Sequence, residues 1–348
     1  MFLLILSLGI KRRAYQEVLD HLQPGKVVIL YGPRRVGKTT LLNQLSCQLA
    51  SREKILPQNG ESLMTQRRLQ ERIPESLQSF IGKTTLFVLN EAQHVPEVGW
   101  SLKMLVDALP KLKIIASGSA SFSFAQQVGE PLTGRLKTVY LYPIAARELI
   151  DQTNPAAYLA TLEERLIFGN HPELFSLESL EAKSEYLRKL VDAFLLSDLL
   201  KMENVRGSKV LYDLLILLAF QIGQEVSLSE LGSSLGLHRQ TVARYLDLLE
   251  KSFVLINIRG FARNLRKEVT KNSRCYFYDN GVRNALINNF DPLALRNDVG
   301  ALWENYMVME RLKKQAYERQ PANNYFWRTY DQKEVDWVEE RQGKVIWL

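Results

Sequence analysis

Short apolar runs alternate with segments of helical periodicity through the first 144 residues. Arg13 to Leu22 places Tyr15, Val18, Leu19 and Leu22 on one helical face, and Pro24-Gly25 ends that helix. Val27-Val28-Ile29-Leu30-Tyr31 is too short for a helix and rich in β-branched residues, so it reads as a buried strand. Leu41, Leu42, Leu45 and Leu49 then recur at helical spacing. A short strand over Lys54 to Leu56 and a helix with Leu69, Ile73 and Leu77 on one side come next. Thr85 to Leu89, Leu112 to Ala116 and Leu136 to Leu141 are further strands, with a helix from Trp100 to Leu109 between the first two. Strands alternating with helices predict an α/β fold: a parallel sheet covered on both faces, with its ligand at the carboxyl ends of the strands.

From Ala145 to Gln224 the pattern is helical, with turn signals at Asn154-Pro155, Gly169-Asn170-His171-Pro172 and Gly207. A helix-turn-helix follows between Val226 and Phe253. Leu228 to Leu235 is its first helix, Gly236-Leu237 the turn, and the second helix starts at Arg239 with Val242, Leu246, Leu249 and Phe253 on one face.

The strongest chemical signal lies between the strand at Val27 and the helix at Leu41. Gly32-Pro33-Arg34-Arg35-Val36-Gly37-Lys38-Thr39-Thr40 fits the phosphate-loop pattern G-x-x-x-x-G-K-[ST] at every fixed position. Its glycines let successive backbone N–H groups point at phosphate oxygens, and the following helix aims its positive end there. Lys38 would neutralise the β- and γ-phosphates of ATP, and the Thr39 hydroxyl would hold Mg²⁺. Arg34 and Arg35, which the pattern does not require, are expected to be solvated or at the rim of the phosphates.

Hydrolysis needs an aligned water and a stabilised metal as well. The strand at Thr85 ends in Asn90-Glu91, which gives Glu91 the place of the base and Asn90 a place at the metal. Asn90 accepts a hydrogen bond from a metal-bound water but brings no charge, so the expectation is weakened ATPase activity. Ser119, or Ser117, stands where a γ-phosphate can be sensed, and Arg135 where it can stabilise charge on a neighbouring subunit's nucleotide.

Composition narrows the setting. At 348 residues the chain suits two or three domains, and its excess of positive charge falls within residues 1–150, which suits a polyphosphate or a nucleic-acid ligand without choosing between them. Two distant cysteines exclude a disulfide framework and fit a reducing cytoplasm. The apolar start Phe2 to Ile10 is followed, not preceded, by Lys11-Arg12-Arg13, unlike a secretory signal, and is too short to span a membrane.

The ordered set Tyr31–Thr40, Leu89-Asn90-Glu91-Ala92-Gln93, Ser117-Gly118-Ser119-Ala120-Ser121, Leu132-Thr133-Gly134-Arg135, Gly169-Asn170-His171-Pro172, Tyr278-Asp279-Asn280-Gly281-Val282 and Glu334-Val335-Asp336-Trp337 resembles bacterial and archaeal AAA-type ATPases. Their C-terminal half, of undetermined role, combines a winged helix with a fold like the PD-(D/E)xK nucleases. The resemblance implies four parts: a phosphate-loop ATPase domain (1–144), a helical lid (145–224), a winged helix-turn-helix (225–278) and an incomplete nuclease-like α+β domain (279–348). It also implies ATP and Mg²⁺ as ligands, a cytoplasmic location and homo-oligomers. Where that group has Asp, this chain has Asn90.

Within that frame the second helix of the helix-turn-helix presents Arg239, Gln240, Arg244 and Asp247, the first two where base contacts arise. Arg259, Arg263, Arg266, Lys267, Lys271 and Arg274 would form a basic wing on the phosphates of double-stranded DNA, and the competing reading is a protein contact or lid. Glu304 and Asp336 would be half of a nuclease metal site. The acid-x-Lys that completes it is missing, because the chain stops in the strand Lys344 to Leu348, as in a truncated gene product. Nuclease activity is therefore not expected, and Asp331, Glu334 and Glu339 read as hairpin surface charges. Two functions remain open: a nucleotide-driven switch with ATP between sheet and lid, or a DNA-binding regulatory module that binds ATP with little turnover.

Overall fold

The computed structural model describes residues 9–119, 131–193, 208–261, 273–329, 331 and 333–348. It divides into two units, Lys11–Tyr142 and a second that joins Met1–Ile10 to Pro143–Leu348.

The first unit is a five-stranded parallel sheet in the order β2-β3-β4-β1-β5. Its strands are β1 (Val27–Gly32), β2 (Ile55–Asn59), β3 (Leu86–Asn90), β4 (Lys113–Ser119) and β5 (Leu136–Tyr140). All six positions of β1 are buried, as a strand flanked on both sides in a covered parallel sheet must be. Its helices are α1 (Arg13–His21), α2 (Lys38–Leu49), α3 (Leu63–Gln70), α4 (Pro74–Ile81) and α5 (Val98–Ala108). Leu41, Leu42 and Leu45 of α2 are buried, each contributing about 1.5–3 kcal/mol. The one helix expected across Leu69, Ile73 and Leu77 is two. Pro74 opens α4 and forces Ile73 into an extended conformation, which turns Ile73 outward while Leu69 and Leu77 stay buried.

Among its described residues the second unit opens with the α-helices α6 (Ala146–Ile150), α7 (Pro155–Leu159), α8 (Leu162–Phe168), α9 (Leu180–Val191) and α10 (Ser208–Phe220). After β6 (Glu225–Val226), α11 (Leu228–Leu235) and α12 (Arg239–Lys251) form the expected helix pair. Gly236 joins them in the left-handed conformation, and the His238 side chain caps α12. Strands β7 (Leu255–Gly260) and β8 (Ser273–Phe277) follow, then α13 (Asn280–Leu286), α14 (Val299–Tyr317), β9 (Asn323–Arg328), β10 (Glu334–Arg341) and β11 (Lys344–Trp347). The six strands make one sheet, β11-β10-β9-β7-β8-β6, in which β7 and β9 are parallel. Strands expected in a wing and strands expected in a separate C-terminal domain thus share one sheet.

The unit's main core joins Leu187, Leu214, Leu215, Val242, Leu249 and Phe277. A second cluster packs Val308 of α14 on Ile258, Tyr276, Phe326 and Trp337 of the sheet. Between them runs a buried polar seam. Asn305 bridges the N–H and C=O of Phe277 and donates to Asn280, which in turn donates to the carbonyls of Leu166 and Leu302. Such a seam specifies one register of α8, α13 and α14, because a shifted register would leave several amides unpaired.

Candidate nucleotide site

The phosphate loop leaves the carboxyl end of β1 and enters α2. A side chain at Gly32 would place its Cβ 2.0 Å from the carbonyl oxygen of Leu141, so only glycine lets the strand turn there. Gly37 sits at φ 92°, in the left-handed region, and Arg35 shares that region at φ 56°. Pro33 and Val36 are buried, Arg34 is half-buried, and Arg35, Thr39 and Thr40 are exposed.

Lys38 is only 5% exposed. Its Nζ donates to the carbonyls of Gly32 (2.9 Å) and Pro33 (2.7 Å). Burial pushes its ammonium down to about 8; Glu91 pulls it back up and Arg34 lowers it further. A cation held this way, against loop carbonyls rather than a carboxylate, is completed by an anion placed over the loop.

Asn90 is where the second strand end meets the loop. Its Oδ1 accepts from the Ser117 hydroxyl at 2.7 Å and from the Thr39 hydroxyl at 3.3 Å. Ser117 Oγ in turn accepts from the Glu91 N–H at 3.4 Å. Thr39, Asn90 and Ser117 are thereby gathered from α2, β3 and β4 into one hydrogen-bonded group. Glu91 adopts φ 51°, a conformation that costs a non-glycine residue on the order of 1 kcal/mol or more. Its carboxylate accepts from Gln93 Nε2 at 2.5 Å. This polar group fits a triphosphate with its divalent ion: a hydroxyl and an amide oxygen at the metal's place, a buried ammonium and helix-terminal amides at the phosphates.

Ser119 ends β4, but its side chain lies outside the described residues. Arg135 is not near the loop. It precedes β5, whose Leu136 pairs with Val27, so it sits at the amino end of the sheet, about 17–20 Å along the strands from Gly32. Its guanidinium pairs with Asp107 and its carbonyl accepts from Val27 N–H. Any contact of Arg135 with a nucleotide would be with another molecule's.

In the second unit, Arg239, Gln240, Arg244 and Asp247 are exposed on α12. Of the basic wing, Arg259 is exposed; Arg263, Arg266, Lys267 and Lys271 lie outside the described residues. Arg274 departs from the expectation. It is buried and ion-paired with Glu334 (2.7 Å), Asp336 (2.8 Å) and Glu304 (3.5 Å), so it cannot grip a phosphate. The same contacts place a guanidinium between the two acids expected at a nuclease metal site. Burial pushes the Glu304 carboxyl up, and Tyr276 donates to it at 2.6 Å. Among the described residues no group of three His, Cys, Asp or Glu could hold a metal ion. Glu339 is no surface charge either: it is fully buried, where Trp337 Nε1 (2.8 Å), Gln315 and Arg311 donate to it.

Gln93 carries no sequence signal of a role beyond its place in Leu89-Asn90-Glu91-Ala92-Gln93, and Arg12 reads as one charge in a basic run. Cys47 and Cys275 are both free, and burial pushes the Cys275 thiol up to about 12. No helix among the described residues is long and apolar enough to cross a membrane.

Residues 24–150 match a family model described as an AAA domain, and residues 159–293 and 299–348 match two described as domains of unknown function, DUF8612 and DUF4143. An uncharacterized protein of Mycobacterium tuberculosis is 27% identical over 340 residues, covering 96% of this chain and 72% of its own. One of Haemophilus influenzae is 23% identical over 372 residues, 97% of this chain and 86% of its own. Among solved structures, AMPPCP-bound DnaA from Aquifex aeolicus is 15% identical, covers 71% of this chain and 91% of its own, and has a TM-score of 0.32, too low to establish a common fold. The AAA-domain match and the phosphate loop inside it support a nucleotide-binding, ATPase-like unit in residues 24–150.

Proposed function

We propose that the chain binds Mg-ATP at the carboxyl end of its parallel sheet and hydrolyses it slowly, as a nucleotide-driven switch. The observation that carries this is Lys38: a buried ammonium held by two loop carbonyls and left for an anion to neutralise. Lys38 and the amides at the start of α2 bind the phosphates, and Thr39 with Asn90 holds the metal's side of the site. Bound Mg²⁺ would supply charge neutralisation on the phosphate oxygens. Glu91 orients the attacking water and takes its proton, which requires that its carboxylate first leave Gln93. Ser117 keeps Asn90 Oδ1 turned toward Thr39. Ser119 is proposed as a γ-phosphate sensor, and Arg135 as a contributor to a neighbouring copy's site in a homo-oligomer.

Calorimetric titration of Mg-ATP and steady-state phosphate release test the reading together. The wild-type chain should bind and turn over, Lys38→Ala should do neither, and Glu91→Gln should bind without turnover. A folded wild-type chain that gives no heat with Mg-ATP refutes it.

A second reading, a DNA-binding module that holds ATP with little turnover, is favoured by the exposed Arg239, Gln240 and Arg244 on the second helix of a pair followed by a β-hairpin, the arrangement of a winged helix. It expects duplex binding that weakens steeply with salt and is lost in Arg239→Ala/Arg244→Ala. Binding unchanged in that variant would refute it.

A further inference from the structure

We infer that Arg12 is a positioning residue of the nucleotide site: it fixes which way the Val36–Gly37 peptide faces and so sets the affinity of the loop for a nucleoside triphosphate. The inference rests on the nucleotide-binding reading above and adds to it a residue that no motif contains. Arg12 stands just before α1 in an extended conformation, and its side chain is buried. Nη1 donates to the carbonyl of Val36 at 2.8 Å, and Nη2 donates to the carbonyl of Tyr142 at 2.5 Å. One planar fork therefore ties the back of the phosphate loop to the chain leaving β5, a geometry that an ammonium cannot reproduce.

The consequence follows from peptide geometry. In a trans peptide the C=O and the next N–H point in opposite directions. Holding the Val36 carbonyl on Arg12 turns the Gly37 N–H away from Arg12. Gly37 caps α2, so this N–H has no partner within the helix and is free to serve an anion. Glycine on one side of that peptide makes its reversal sterically cheap. A reversed peptide would present a carbonyl oxygen where a phosphate oxygen must sit. A charge-assisted bond to the carbonyl selects the productive orientation.

The test uses the full chain and titrates Mg-ATP and Mg-ADP into wild type, Arg12→Met, Arg12→Lys and Val18→Ala. Val18 is a buried residue of α1 with no part in the site, so Val18→Ala reports what loosening that helix does by itself. The Gly37 amide resonance of each nucleotide-free protein is a second readout, one that a merely structural role would not move. Losing one charge-assisted hydrogen bond weakens both nucleotides about 10- to 100-fold in Arg12→Met, with Arg12→Lys between it and wild type. Val18→Ala should keep wild-type affinity despite a lower Tm, and the Gly37 amide should shift only in the Arg12 variants. Folded Arg12→Met with wild-type affinity, or Val18→Ala with an equal loss, overturns the inference. If Arg12→Met does not fold, Arg12→Lys decides, and wild-type affinity there overturns it. A wild-type chain that binds no Mg-ATP is seen before any variant is made, and removes the nucleotide reading along with this one.

Discussion

Replacing Lys38 should abolish nucleotide binding and yet relieve the nucleotide-free protein of a cost. The lysine is buried, its Nζ donates to two backbone carbonyls, and burial pushes its ammonium down to about 8 from its ordinary 10.5. That gap corresponds to about 3 kcal/mol by which the folded site disfavours the charged form. Between those two values the unfolded chain binds more protons at this position than the folded chain. Stability therefore rises with pH across that window, and the cost is fully present below pH 8. Lys38→Met has no proton to lose there. Urea unfolding of both proteins without nucleotide, at pH 7 and again near pH 10, should show wild type gaining on the variant by about 2–3 kcal/mol as the pH rises. Mg-ATP should reverse the order at pH 7, because the triphosphate supplies the missing counter-charge to wild type alone and stabilises it by mass action. Parallel pH profiles for the two proteins would refute the reasoning, since they would mean that Lys38 is not charged against its surroundings.

Two further outcomes follow from named contacts. Asn90→Asp keeps both hydroxyl partners and adds the missing charge, so turnover at limiting Mg²⁺ should rise about 10- to 100-fold; phosphate release no faster than wild type would show that Asn90 does not limit the reaction. Burial opposes ionisation of Asp298, but hydrogen bonds from Arg296 and Arg283 outweigh it and hold its carboxyl at about 2. Its contribution is present above pH 4 and lost as the pH falls toward 2, so Asp298→Asn should lower stability at pH 7 by about 2 kcal/mol, the linkage value of a carboxyl held from 3.8 down to about 2. Urea midpoints for the two proteins at pH 7 and pH 2.5 should converge at the acid end.

The first unit was legible because its signals are local. A run of five apolar residues, a glycine loop and a leucine stripe are each confined to one element: β1 extends the expected strand only to Gly32, and α2 starts at Lys38, ahead of the leucine stripe, and ends with it at Leu49. Where two local signals competed, the apolar spacing of Leu69, Ile73 and Leu77 concealed the stronger constraint of Pro74. Residues that work through the backbone at a distance were not legible. Arg12 lies 24 positions from Val36 and 130 from Tyr142, and a charge beside Lys11 and Arg13 carries no mark of which one turns inward. Ser117 and Ser119 could not be ranked from sequence, since positions two apart on a strand share a face and the register against Asn90 is set only by pairing of β3 with β4.

The second unit misled in a different way, which bears on what it can do. Its conspicuous polar residues invite chemistry: Asp279 and Asn280 in one motif, Glu304 and Asp336 as half a metal site, Arg274 in a basic run. In the fold they are spent on one another. Asp279 caps α13 and accepts from Asn170 N–H; Asn280 and Asn305 join α8, α13 and α14; Arg274 ties β8 to α14 and β10 through three carboxylates. A divalent ion between Glu304 and Asp336 would have to displace a buried guanidinium and leave it without partners, at a cost of several kcal/mol that two carboxylates could not return. The acids therefore act as counter-ions to Arg274, and the proposed nucleotide chemistry rests on the first unit, where a cation, a hydroxyl and a strained glutamate converge on the carboxyl ends of the strands.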